Sequence, residues 1–112
     1  MASYSLARLA ALTQLTASAA TLYTVTAPRT KAVVKQILVS NTSASSATVT
    51  IHIVPALGTA SSATKIIPEV SVAANSVITF DVTQVLNVGE TLQALASTGS
   101  AINAIISGYE VE

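Results

Sequence analysis

Residues able to do chemistry are few in this chain of 112 residues, and their spacing brings none of them together. His52 is the single histidine. With Asp81 and any of fourteen serines it could in principle make a Ser-His-Asp set, but no nucleophile-elbow motif or glycine-rich oxyanion turn accompanies them. A metal would need two or three partners for His52, and Asp81, Glu69 and Glu90 are scattered singly. Glu110 and Glu112 lie close together, at the end of the sequence. There is no cysteine, which removes thiolate catalysis, disulfides and most zinc sites, and no Walker or dinucleotide glycine pattern. Tyr4, Tyr23, Phe80 and Tyr109 are too dispersed for a stacking platform. The chain therefore reads as a non-enzyme without cofactor or metal.

Three of the five basic residues, Arg29, Lys31 and Lys35, form the one charge cluster. They could contact an acidic partner surface, such as Glu110 or Glu112 of a neighbouring subunit. The simpler and preferred reading makes them gatekeepers on an exposed strand edge. Five cations balanced by five anions leave little for neutralising phosphates, so no nucleic-acid partner is expected.

The elements that carry these residues are β-strands. Val49, Ile51 and Ile53 alternate with Thr48, Thr50 and His52, the period of two that marks a half-buried strand and directs His52 outward. Similar runs occupy 21–25, 32–40, 64–67, 70–72, 77–82, 91–97 and 101–111. Pro28, Pro68, Gly89 and the NTSASS tract (41–46) punctuate them. Residues 83–88 allow a single helical turn capped by Asp81 or Thr83. Seven or eight short strands predict an all-β protein: a single antiparallel β-sandwich of jelly-roll or immunoglobulin-like type, spanning 21–112.

Residues 1–20 differ. Leu6, Leu9, Leu12 and Leu15 recur every third residue, suiting an N-terminal arm, extended or briefly helical, that docks on a neighbour; a first strand is the alternative. Arg8 followed by LAALTQL only weakly imitates a secretory leader, and none is expected. The uncharged spans 9–28, 36–64 and 91–109 are too rich in Ser, Thr, Asn and Gln for membrane helices.

Two observations point to a covered surface. Charged residues are 9% of the chain against about 25% in ordinary soluble domains. The last strand places Ile102, Ala104 and Ile106 on one face, and Ile105, Tyr109 and Val111 on the other. In the second strand, Val34 and Leu38 oppose Val33, Ile37 and Val39. Each buried Val or Ile is worth about 1.5–3 kcal/mol, so a strand apolar on both sides is expected to pack twice, and a homo-oligomer is expected.

Particular segments also carry a resemblance. TLYTV (21–25), AVVKQILVSNTS (32–43), ATVTIHIVP (47–55), VAANS (72–76), GETLQALAST (89–98) and INAIISGYEV (102–111) occur in an order that resembles a family of small bacteriophage virion proteins. The likeness runs from Thr21 to the end and omits the arm. It departs at the first turn, where Thr26-Ala27-Pro28-Arg29-Thr30 stands in place of the family's PAGKT. The resemblance implies a β-sandwich that decorates a capsid or sits in a tail or neck, without catalytic residues. From it follow the expected role as a capsid decoration or cement protein, with a trimer favoured and the major capsid protein or other virion proteins as partners. The expected location is the virion, assembled in the host cytoplasm. A tail, neck or fibre protein is the alternative, and a secreted adhesive or carbohydrate-binding module a more distant one.

Overall fold

The computed structural model describes residues 4–111, the side chains of Tyr4, Leu6 and Ala7 excepted. Eight strands run in chain order: β1 (Tyr4–Gln14), β2 (Ala20–Thr24), β3 (Lys31–Asn41), β4 (Ala47–Val54), β5 (Lys65–Val72), β6 (Val77–Asn87), β7 (Thr91–Ala96) and β8 (Ile102–Val111). A 3₁₀ turn, Ser62–Thr64, precedes β5. No helix among the described residues is long and apolar enough to cross a membrane.

Pairing follows a simple rule. β1 pairs with β8, β2 with β7, β3 with β6 and β4 with β5, all antiparallel, as if the chain were one long hairpin closed at the β4–β5 turn. That hairpin is rolled up. Added ladders β3–β8 and β4–β7 collect the strands into two sheets, β1-β8-β3-β6 and β2-β7-β4-β5. This is the eight-stranded jelly roll, so of the two sandwich types expected the first is the one formed.

The core between the sheets is aliphatic. Val34, Ile37 and Val39 of β3 and Ile102, Ala104 and Ile106 of β8 face Val49 and Ile51 of β4 and Leu92 and Ala94 of β7. Small and β-branched side chains suit two pleated surfaces packed about 10 Å apart. Asn41, fully inside, holds the NTSASS loop: its Nδ2 donates to the carbonyls of Ser45 (2.9 Å) and Val72 (3.0 Å), and its Oδ1 accepts from the Ser43 amide.

Four expectations are corrected. Residues 4–14 are the outer strand of the first sheet, not an arm: pairing with β8 satisfies their backbone, and Leu9, Ala10 and Leu15 enter the core. Two register irregularities, between Arg8 and Ala10 and between Ala10 and Thr13, interrupt the strand, and the leucines do not share a face: Leu9 and Leu15 are buried and Leu12 is exposed. Residues 83–87 continue β6, because Leu86 is buried opposite Ala32. Pro68 does not end a strand. It lies in β5, an edge strand, and the irregularity there leaves Glu69 at φ 42 with its amide donating to Thr50 Oγ1 (3.2 Å). Finally, β3 does not alternate simply, since a bulge at Lys35 moves Val34, Ile37 and Val39 to the core side and leaves Val33 and Leu38 outside.

Candidate interaction face

The bulge at Lys35 sets the chemistry of the outer surface of the first sheet. Directly paired residues share a face, so the registers assign its rows. Tyr109 of β8, Val33 of β3 and Val85 of β6 form one row; Ile105, Leu38 and Thr79 form another. Between them runs a polar row, Arg8–Ser107–Gln36–Asp81, which crosses all four strands. Gln14, Asn103, Ser40 and Val77 close the far end. Val33, Leu38 and Ile105 are half-buried by their neighbours alone, while Tyr109 (39%), Val85 (50%) and Val77 (59%) are exposed. The two-faced apolar character read from β8 is thus real in the folded chain.

Gly108 makes the bulge possible. A Cβ there would fall on the Val33 carbonyl oxygen and press the Lys35 amide. Only a glycine lets β8 pass the bulged β3 so closely.

The expected interface residues are divided by the fold. Ile105 and Tyr109 belong to the apolar face just described. Leu9 and Leu15 are buried in the chain's own core and offer nothing to a neighbour, whereas Leu12 is 63% exposed. The side chain of Leu6 lies outside the described residues, as does Glu112. Lys31 Nζ donates to Asn87 Oδ1 (2.8 Å) and Lys35 Nζ to Thr83 Oγ1 (3.3 Å), both reaching across to β6.

Arg29 meets a carboxylate of its own chain instead of a neighbour's. Its Nε sits 2.6 Å from Glu110 Oε2, and the Tyr23 hydroxyl donates to the same oxygen at 2.7 Å. Tyr23 is in β2 and Glu110 in β8, so the cluster ties the two sheets together at one end. The turn that positions Arg29 is closed by its amide on the Thr26 carbonyl (3.1 Å) and contains a cis Ala27–Pro28 bond. Burial, and then the Glu110 carboxylate beside it, push the Tyr23 hydroxyl up to about 12. The arrangement holds a structural anion; it shows no open position for a substrate.

His52 points to the outer side of the second sheet, as its alternation indicates, yet it is only 3% exposed. Its outward placement holds, and its burial comes from the Ser61–Thr64 turn that lies against it. Its Nδ1 lies 2.8 Å from Thr64 Oγ1, inside the Ser61–Thr64 capping box. Burial, with the positive charge of Lys65 second, pulls its pKa below the usual value. His52 and Asp81 stand on opposite outer faces of the sandwich and cannot act together. Among the described residues no cavity is found and no three potential metal ligands gather.

The described residues thus form a jelly roll whose first sheet carries two apolar rows on its outer face. No protein-family model matches the sequence, and neither does any curated protein. Among solved structures, a chain from the structure of infectious bursal disease virus, Gx strain, is similar in fold, with a TM-score of 0.50 at 11% identity. The match covers 99% of this chain and 31% of the viral one, so the chain spans under a third of that protein.

Proposed function

We propose that this protein is a non-enzymatic structural component of a virion, and specifically a capsid decoration or cement protein that stabilises the head by bridging capsid subunits. The observation that carries this reading is the outer face of the first sheet, where two apolar rows flank a polar one, in a chain with 9% charged residues. An isolated sandwich only half-buries Val33, Leu38 and Ile105 and leaves Tyr109 exposed; an assembled one gains the rest of their burial. The eight-stranded roll is an architecture used by viral capsid domains, its fold is similar to that of a viral chain, and the TLYTV, NTS and GETLQALAST segments resemble small phage virion proteins. Bridging works by mass action: contacts made only in the assembled shell lower its free energy without new covalent bonds. The partners on this reading are the major capsid protein or other virion proteins, and assembly takes place in the host cytoplasm.

A tail, neck or fibre position is the second reading for the same fold. Quantitative mass spectrometry of purified particles separates the two. Hundreds of copies per particle are expected for decoration, a handful would move the protein to the neck or tail, and absence from particles would overturn the virion role.

A further inference from the structure

We propose that the outer face of the first sheet docks a second copy of this chain, through a two-fold axis lying in the interface and parallel to the strands between β8 and β3. The warrant is the charge order of the central row. Arg8 sits on the outer strand β1 and Asp81 on the opposite outer strand β6, with uncharged Ser107 and Gln36 between them. Both are exposed, and neither has an ion-pair partner among the described residues.

A two-fold of this orientation lays β1 of one copy over β6 of the other and β8 over β3. Arg8 then faces the partner copy's aspartate at 81, and the same contact is repeated on the other side of the axis. An interface of this kind is isologous, each patch meeting itself. The apolar rows obey the same operation: Ile105 is brought over Leu38 of the second copy, and Tyr109 over Val33. A two-fold running across the strands would stack β1 on β1 and β6 on β6, placing like charges together. The row therefore selects one orientation.

Charge placement at the middle is consistent with this. Lys35 reaches Thr83 Oγ1 on β6, so its ammonium leaves the apolar centre and stands on the same strand as Asp81, two residues from the carboxylate that Arg8 of the second copy meets. Four strands about 4.8 Å apart and about ten residues long offer roughly 600 Å² of flat face. That is comparable with the roughly 800 Å² of accessible surface per partner in interfaces of standard size. A two-fold pair replaces the trimer implied by the family resemblance. The inference rests on the face being covered and is independent of where in a virion the protein sits.

Sedimentation velocity tests it with two single variants, Arg8→Asp and Asp81→Arg. Both positions are exposed on outer strands, so thermal unfolding of each variant at low concentration should match the parent. The parent should be a dimer at high micromolar concentration. Each variant alone juxtaposes like charges twice and should dissociate, with Kd raised roughly tenfold to a hundredfold. An equal mixture of the two variants restores both opposite-charge contacts and should sediment as a heterodimer. Parent protein that is monomeric or trimeric, variants that dimerise as the parent does, or a mixture that stays monomeric would each overturn the proposal. The virion role would still be decided separately by copy number in particles.

Discussion

The two outer faces of this sandwich are built on sheets of equal strand number, yet they are covered differently. On the second sheet the outward positions of β4 and β7 include Thr48, Thr50, His52, Thr91 and Gln93 beside the apolar Val54 and Leu95, and several of the polar groups are satisfied within the chain. Thr50 accepts from Glu69, His52 meets Thr64, and Gln93 donates to Thr91. Residues 55–64 cover part of that face. On the first sheet the outward positions of the central strands carry Val33, Leu38, Ile105 and Tyr109 among the polar Gln36, Ser40, Asn103 and Ser107, and no segment among the described residues folds over them. One face is finished by its own chain. The other needs something else to finish it.

The largest effect should come from removing the device that creates the difference. Gly108→Ala drives a methyl group into the backbone of the β3 bulge, so a loss of about 3 kcal/mol or more is expected in denaturant titration. A variant that unfolded like the parent would show that the bulge yields cheaply, and that the assignment of Val33 and Leu38 to the outer face is not fixed by it.

Next comes the second face. Thr50→Val keeps shape but removes the acceptor for the Glu69 amide, and should cost about 1–3 kcal/mol at equilibrium. The equivalent polar-for-apolar exchange on the first face, Leu38→Thr with Ile105→Thr, should do the reverse. It should change monomer stability by about 1 kcal/mol or less while abolishing self-association. If both exchanges cost the same in the monomer, the faces are not different in kind.

Smaller effects follow from titration. His52 has a lowered pKa in the folded state, so the unfolded chain binds more protons as pH falls below about 6.5. Stability should therefore decline through that region and on toward the folded value, and His52→Gln should flatten the decline. Tyr23 has the opposite displacement. Its contribution is present below about 10, where the unfolded hydroxyl begins to ionise, and is lost as pH rises toward about 12. Tyr23→Phe should remove this alkaline loss while leaving the acid limb unchanged.

Much of this contrast is legible in the residues. The Val49–Ile53 alternation fixes β4, the NTSASS tract fixes the turn after β3, and β8 declares itself apolar on both sides. What stays hidden is non-local. The bulge at Lys35 has no signature of its own, because its cause is the approach of Gly108 about seventy residues later. Simple alternation therefore misplaces Leu38 relative to Val34. His52 has an outward phase, but its burial depends on residues 55–64 returning across it. The leucine period in 6–15 resembles a helical stripe, yet in β1 it marks no common face, since Leu12 is exposed between buried Leu9 and Leu15. Arg8 and Asp81 look unrelated in sequence, and only the β1-β8-β3-β6 order sets them at the two ends of one row. The Arg29–Glu110 pair is equally non-local, joining a turn to the last strand.

The absence of cysteine from the chain makes the central claim directly measurable. Single cysteines at Leu38 and at Thr48 place one thiol on each outer face, both at half-buried positions. Their labelling by a thiol reagent can be followed in dilute solution and again at assembly concentration or on particles. If the first face is covered in the working assembly, labelling at 38 should slow by roughly tenfold or more on assembly while labelling at 48 stays within about twofold. Equal rates at 38 in the dilute and assembled states would contradict it.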